Sequence, residues 1–194
     1  QAPHGALVIT ATHAVCSASP ELFFRLSNDT IVSRPMKGTA PRGLTCDEDE
    51  SSAKALHASE KNRAENIMIV DMIRNDIGRI AEAGSVRVAS AFDIERFPTV
   101  LQMTSTVEAT TRASFVDIVR AMFPCASITG APKVRTMEII HELEPDPRGV
   151  YTGAVGYVAP GRLAEFNVAI RTVVVDRQTG AAEYGVGGGI VWDS

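Results

Sequence analysis

Residues 59–80, SEKNRAENIMIVDMIRNDIGRI, constrain the fold more than any other stretch of this chain. The segment reads as one long helix with Ser59 as its N-cap. Ile67, Met68, Ile69, Val70, Met72 and Ile73 nearly encircle the axis, so the helix requires cover on most of its sides. Its polar residues are informative for that reason. Glu65, Asp71, Arg74, Asn75 and Asp76 lie in or beside the apolar run, where an ionised side chain needs a partner or a ligand. Glu65 shares a face with Met72, and Asp71 shares another with Asn75.

Segments on both sides of this helix can supply the cover. Residues 6–19, ALVITATHAVCSAS, read as one or two strands, and ELFFRL and TIVSRP continue the pattern. Three further strands, 150–159, 163–176 and 181–192, close the chain through the hairpin-like connections PGR and DRQTG. Between the two groups, SFVDIVRAMF (114–123) places Phe115, Ile118, Val119 and Met122 on one helical face behind a capping-box-like Ser114 and Asp117. A third helix spans roughly 131–143, with Pro132 in its first turn. Residues 43–60, rich in Asp, Glu, Ser and Ala with DEDE at 47–50, read as a mobile solvated loop. Strands, then helices, then strands predict an α+β architecture: a largely antiparallel sheet with helices packed on its faces.

Composition excludes several classes. At 194 residues and 45% hydrophobic content, the chain can bury a core as one domain or most of one. A net charge of −4 and a pI near 5.6 argue against a general nucleic-acid binder. No apolar run is long enough to span a membrane as a helix. Cys16, Cys46 and Cys125 lie far apart and outside any zinc-ligand spacing, which fits a reducing compartment, the cytoplasm by default. The chain opens on Gln1 and stops directly after GGGIVWDS, so the expectation is a piece of a longer protein.

Four segments carry candidate chemistry. SRPMKGTAPRG (33–43) concentrates Arg34, Lys37 and Arg42 in one turn, with Gly38 allowing close backbone approach and Thr39 offering a hydroxyl; solvated loop charges are the plainer reading. SITGAPK (127–133) sets small residues at a helix start, where free N–H groups favour an anion, although an ordinary N-cap has the same composition. GVGGGIV (185–191) reads as main chain lying against a ligand, without the strand-to-helix context of a dinucleotide site. Arg171, in FNVAIRTVVV, either pairs with a carboxylate of the protein or binds one on a ligand. Together they point to a small ligand with several carboxylates.

SASPELFFR, SRPMKGTAPRG, RAENIMIVDMIRNDIGR, SITGAPKVRTMEII, GAVGYV, AIRT and GVGGGIVWDS follow one another in this order. Over residues 17–194 they resemble the chorismate-utilising enzymes, which include anthranilate synthase component I, aminodeoxychorismate synthase component I, isochorismate synthase and salicylate synthase. The resemblance implies that residues 1–194 form a single partial chorismate-binding domain, truncated at both ends. At residues 35–39 the chain reads P-M-K-G-T, which looks like the aminodeoxychorismate synthases, whereas anthranilate synthases look like P-I-A-G-T.

That resemblance implies roles for particular residues. Lys37 adds at C2 of chorismate as the C4 hydroxyl leaves, and ammonia then attacks C4 and expels it. Such a lysine must be partly neutral, through desolvation or cationic neighbours, and Arg34 and Arg42 are close in sequence. Glu21 is the implied general acid. Glu65 is an implied Mg2+ ligand. Tyr157 and Arg171 hold the pyruvyl carboxylate. The backbones of Gly130, Gly187, Gly188 and Gly189 contact the carboxylates, with Ser127 and Thr39 as hydroxyl donors. Gln102 stands where many members carry His, so hydrogen bonding survives but proton donation does not.

The implied function is the amination of chorismate in 4-aminobenzoate and folate synthesis, with ammonia from a glutamine amidotransferase partner. An anthranilate synthase is the alternative within the family, and a non-catalytic chorismate-binding module is the alternative outside it. In the family an acidic metal-binding segment follows WDS and a further portion precedes SPEL, so the 194 residues alone are expected to have little activity.

Overall fold

The computed structural model describes residues 2–190. Its architecture is two antiparallel sheets with helices packed against the larger one. The smaller sheet has the order β1 (His4–Ile9), β2 (His13–Ser19), β10 (Thr172–Asp176), β11 (Ala182–Tyr184). In the larger, β5 (Met36–Pro41), β7 (Val100–Thr110), β4 (Thr30–Arg34), β3 (Leu22–Ser27), β9 (Leu163–Val168) and β8 (Ala154–Ala159) follow in order, and β6 (Arg87–Arg96) also pairs with β7. β4 and β5 therefore lie end to end along one side of β7, with β6 along the other.

The predicted long helix is present as α2 (Glu60–Gly78), and Ser59 caps it by accepting from the Asn62 amide. Its cover is one-sided, contrary to the expectation. Asn66, Ile69, Val70, Ile73, Asp76 and Ile77 form the buried stripe, whereas Ile67 and Met68 are 54% and 42% exposed. Turns of 3.6 residues carry 67 and 68 away from the sheet, and no second layer lies over them among the described residues. α3 (Phe115–Met122) matches its prediction, capped by Ser114, and seats Phe115 against Phe24 and Phe166. Each fully buried Ile or Phe of this core stabilises the fold by about 1.5–3 kcal/mol.

Residues 43–60 are not a mobile loop. They hold α1 (Cys46–Ala58), whose start is a complete capping box between Thr45 and Glu48. The acids Asp47, Glu48 and Asp49 occupy its first turn, where they favour the positive end of the helix dipole. Ala53 and Leu56 pack on Leu101 and Met103 of β7. Charge that reads as solvation thus serves helix initiation.

Three further differences concern strands. β6 and β7 have no counterpart among the predicted elements. The predicted strand 163–176 is two strands in different sheets, because the chain leaves β9 through Ala169–Arg171 and Arg171 takes the left-handed φ of 50°. The strand predicted over 181–192 is present at Ala182–Tyr184, and its last two positions lie outside the described residues. α4 (Lys133–Leu143) starts directly after Pro132, which is its cap residue, and buries none of its own residues.

No helix among the described residues is long and apolar enough to cross a membrane. Replacing Thr45 by Ala should remove the α1 cap and lower the stability of the full-length gene product by about 1 kcal/mol. Urea denaturation measures it; an unchanged midpoint would mean that α1 does not depend on this cap.

Candidate active site

Glu21 sits on the link between β2 and β3, pinned at both ends of its peptide unit. Its N–H donates to the Ser19 hydroxyl at 3.2 Å, and its carbonyl accepts from the Val168 N–H at 3.1 Å. The residue is 5% exposed, and its Oε1 is buried with no hydrogen-bond partner among the described residues. Burial pushes the carboxyl up to about 7; the Ser127 side chain, the Lys37 charge and the Met36 backbone pull the other way and only partly compensate. A carboxylic acid in that range carries a proton at neutral pH in a large fraction of molecules and can deliver it.

Lys37 reaches the same place from β5. The pairing of β5 with β7 slips between Met36 and Thr39, which releases Lys37 and Gly38 from the regular ladder. Gly38 adopts φ +96°, and a Cβ there would lie 3.1 Å from the Asn62 side chain, so the turn requires glycine twice over. Lys37 Nζ donates to the Ser127 carbonyl at 3.1 Å. Ser127 lies in a short 3-10 turn, Ala126–Ile128, and its hydroxyl is 3.3 Å from Cys125 Sγ. Burial, and then the Glu21 charge, push that thiol up to about 12, so it stays neutral beside the acid.

The other two cations of the turn have different partners. Arg34 pairs with Glu95 at 3.0 Å. Arg42 holds Asp49 through two bonds of 2.5 and 2.9 Å, keeping that carboxyl below its usual range, and also donates to the Phe97 carbonyl. Both charges are compensated locally, which corrects the expectation that they act on Lys37. Lys37 alone among the three faces the buried acid.

A cleft of about 140 Å³ is lined by Pro20, Met36, Val100, Gln102 and Arg171 among others. Pro20 and Met36 of its lining are the chain neighbours of Glu21 and Lys37, whose own side chains are not part of that lining. Thr39 Oγ1 donates to Gln102 Oε1 at 2.9 Å, and among the described residues the Gln102 amide nitrogen has no partner. Arg171 is exposed at the crossing between the sheets, not embedded in a strand.

Several residues singled out by sequence lie elsewhere. Tyr157, 58% exposed on β8, faces Glu165 across the ladder, and Glu165 is bound by His4 and Arg25. Gly130 has φ +147°, and a Cβ there would stand 2.8 Å from the Thr136 methyl, so packing against the first turn of α4 already accounts for glycine. Gly187, Gly188 and Gly189 are exposed; Gly187 abuts the Tyr151 hydroxyl, and the other two border open space. Glu65 is half-buried on α2, and the described residues contain no group of three His, Cys, Asp or Glu that could hold a metal. One carboxylate matches part of a magnesium shell and does not complete it.

Sequence reasoning missed two features of the site. Cys125 stands two residues before Ser127, but only the fold shows that it is buried against the acid. Lys133 of the SITGAPK segment is tied at 2.5 Å to Asp76 of α2 and at 3.1 Å to the Met122 carbonyl, so it anchors α4 to the core.

A buried acid that holds its proton near neutrality stands beside an amine, an arrangement able to pass a proton to a bound group. The chain belongs to the chorismate binding enzyme family, whose profile matches residues 1–194. It is 48% identical over 193 residues to an aminodeoxychorismate synthase of Streptomyces griseus, a match covering 98% of this chain and 26% of that protein. It is 46% identical to aminodeoxychorismate synthase component 1 of Klebsiella aerogenes, covering 100% of this chain and 43% of the relative. The crystal structure of anthranilate synthase component I from Streptococcus pneumoniae TIGR4 superimposes with a TM-score of 0.82 at 34% identity, over 91% of this chain and 39% of that one. The chain thus spans less than half the length of these relatives.

Because Glu21 holds its proton to about pH 7 when folded but only to about 4.5 when unfolded, its burial destabilises the fold progressively as pH rises between those values. Glu21→Gln in the full-length protein should therefore stabilise by up to about 3 kcal/mol at pH 8 and by little at pH 5. Equal effects at both pH values would contradict an ionisation cost. Thiol alkylation gives an independent check: exposed Cys16 and Cys46 should react under native conditions and buried Cys125 only after unfolding.

Proposed function

We propose that this chain carries the chorismate-binding and amine-transferring residues of an aminodeoxychorismate synthase component 1. The observation that carries the reading is the Glu21, Lys37 and Ser127 arrangement. A buried acid that holds its proton near neutrality stands beside an amine whose hydrogen bond goes to a carbonyl and not to a carboxylate. The names of the relatives support the same activity.

On this reading the neutral Lys37 amine adds at C2 of chorismate, the two ring double bonds shift, and the C4 hydroxyl departs as water with the proton from Glu21. Ammonia then adds at C4, the double bonds return and the lysine leaves C2. The balance is chorismate plus ammonia giving 4-amino-4-deoxychorismate plus water, with no redox change. Gln102, Thr39 and Arg171 would orient the substrate from the cleft, Arg171 against a carboxylate. Gly130, Gly187 to Gly189 and Tyr157 would join the carboxylate contacts only in a more complete assembly of the site. Glu65 would supply one oxygen to Mg2+, a cation that would neutralise the ring carboxylate. A glutamine-hydrolysing partner would deliver the ammonia. Free exposed thiols at Cys16 and Cys46 favour a reducing compartment such as the cytoplasm.

The anthranilate synthase superposition keeps a second reading in view, and the product separates the two. The full-length gene product, given chorismate, magnesium and ammonium, should form 4-amino-4-deoxychorismate, identified by mass and retention. Lys37→Ala should lower that rate on the order of 1,000-fold or divert the product to anthranilate. Anthranilate or isochorismate from the wild type would overturn the assignment, and binding without turnover would mark a non-catalytic module.

A further inference from the structure

We infer that Asn66 and Ser105 are positioning residues for Lys37, an inference that rests on the reading of Lys37 as the amine that attacks. Asn66 is fully buried on α2, and its Oδ1 accepts from the Ser105 hydroxyl at 2.5 Å. The same hydroxyl accepts from the Phe92 N–H at 3.1 Å, which fixes its orientation. Ser105 in turn donates its own N–H to the Pro35 carbonyl at 3.2 Å, two residues before Lys37.

One turn earlier on α2, the Asn62 side chain lies beneath Gly38, the residue that follows Lys37. Its amide is held by the Ser59 hydroxyl at 2.9 Å. The helix therefore grips the lysine turn on both flanks, at Pro35 through Ser105 and at Gly38 through Asn62. Between those points the β5 ladder slips, so regular pairing does not fix Lys37.

Asn66 makes this contact at a cost. Its Nδ2 is buried and has no partner among the described residues, and an apolar residue of the same size would avoid that desolvation. The acceptor half of the amide is what the site uses.

Asn66→Leu and Ser105→Ala, separately and together, test the inference in the full-length protein. Three readouts are taken: steady-state kinetics with chorismate and ammonium, the melting temperature, and the pH profile of Lys37 acetylation by acetic anhydride, followed by peptide mass mapping. Each single variant should lower kcat by about 10- to 100-fold with KM for chorismate within about twofold. The double variant should be no worse than the more affected single, because both break one tie. The acetylation profile should shift in both variants. An unshifted profile, or a kcat loss no larger than the loss of folded protein, overturns the inference and leaves only a structural role. A shifted profile in a protein whose Lys37→Ala variant still aminates chorismate would support the positioning and sink the role of Lys37 instead.

Discussion

Asn66, Ile69, Val70, Ile73 and Ile77 lay one continuous stripe of α2 against the sheet, and the contacts of the site follow from that packing. β7 takes β4 and β5 end to end on one side and β6 on the other. α2, crossing the same strands, sets the height of the turn between β4 and β5. From that turn Lys37 reaches the Ser127 carbonyl, and the Ser127 turn closes over Glu21.

Among the described residues, the buried side-chain polar atoms without partners, Glu21 Oε1, Arg34 Nε, Asn66 Nδ2 and Thr104 Oγ1, cluster in the elements around this turn. Thr104 stands opposite Met36, and Arg34 opens the turn itself. Unpaired polar groups at such density oppose stability and keep local electrostatics strong, since little water screens them. The site and the core pull in opposite directions here. The apolar stripe of α2 and the Phe24, Phe115 and Phe166 cluster supply stability nearby.

Much of this was legible in the chain. Ser59 and Ser114 announced α2 and α3 because a cap is a local signal, and the alternation of strands and helices gave the fold class. α1 was hidden by its own acids, although T-x-x-E at Thr45 and Glu48 spells a capping box for a reader who weighs it above net charge. β7 was obscured by the polar run Thr104, Ser105 and Thr106 at its centre, whose burial depends on partners far away in sequence. The outward face of α2 was misjudged because periodicity shows where apolar residues point and not whether anything lies there. Within the candidate site, the resemblance singled out Lys37 and Glu21, which the fold brings close together. The neutralising partners of Arg34 and Arg42, and the tie from Asn66 through Ser105, are products of tertiary contact and have no sequence signature.

Gly38 has a consequence for how such a turn can diversify. The backbone there is dictated by the positive φ and by the Asn62 side chain beneath it, not by its neighbour at position 37. Position 37 is accordingly a socket: its side chain can change from an amine to a methyl group while the main chain that presents it stays as it is. A substitution there changes which group faces the buried acid without rebuilding the scaffold, and the glycine next to it is what makes the exchange economical.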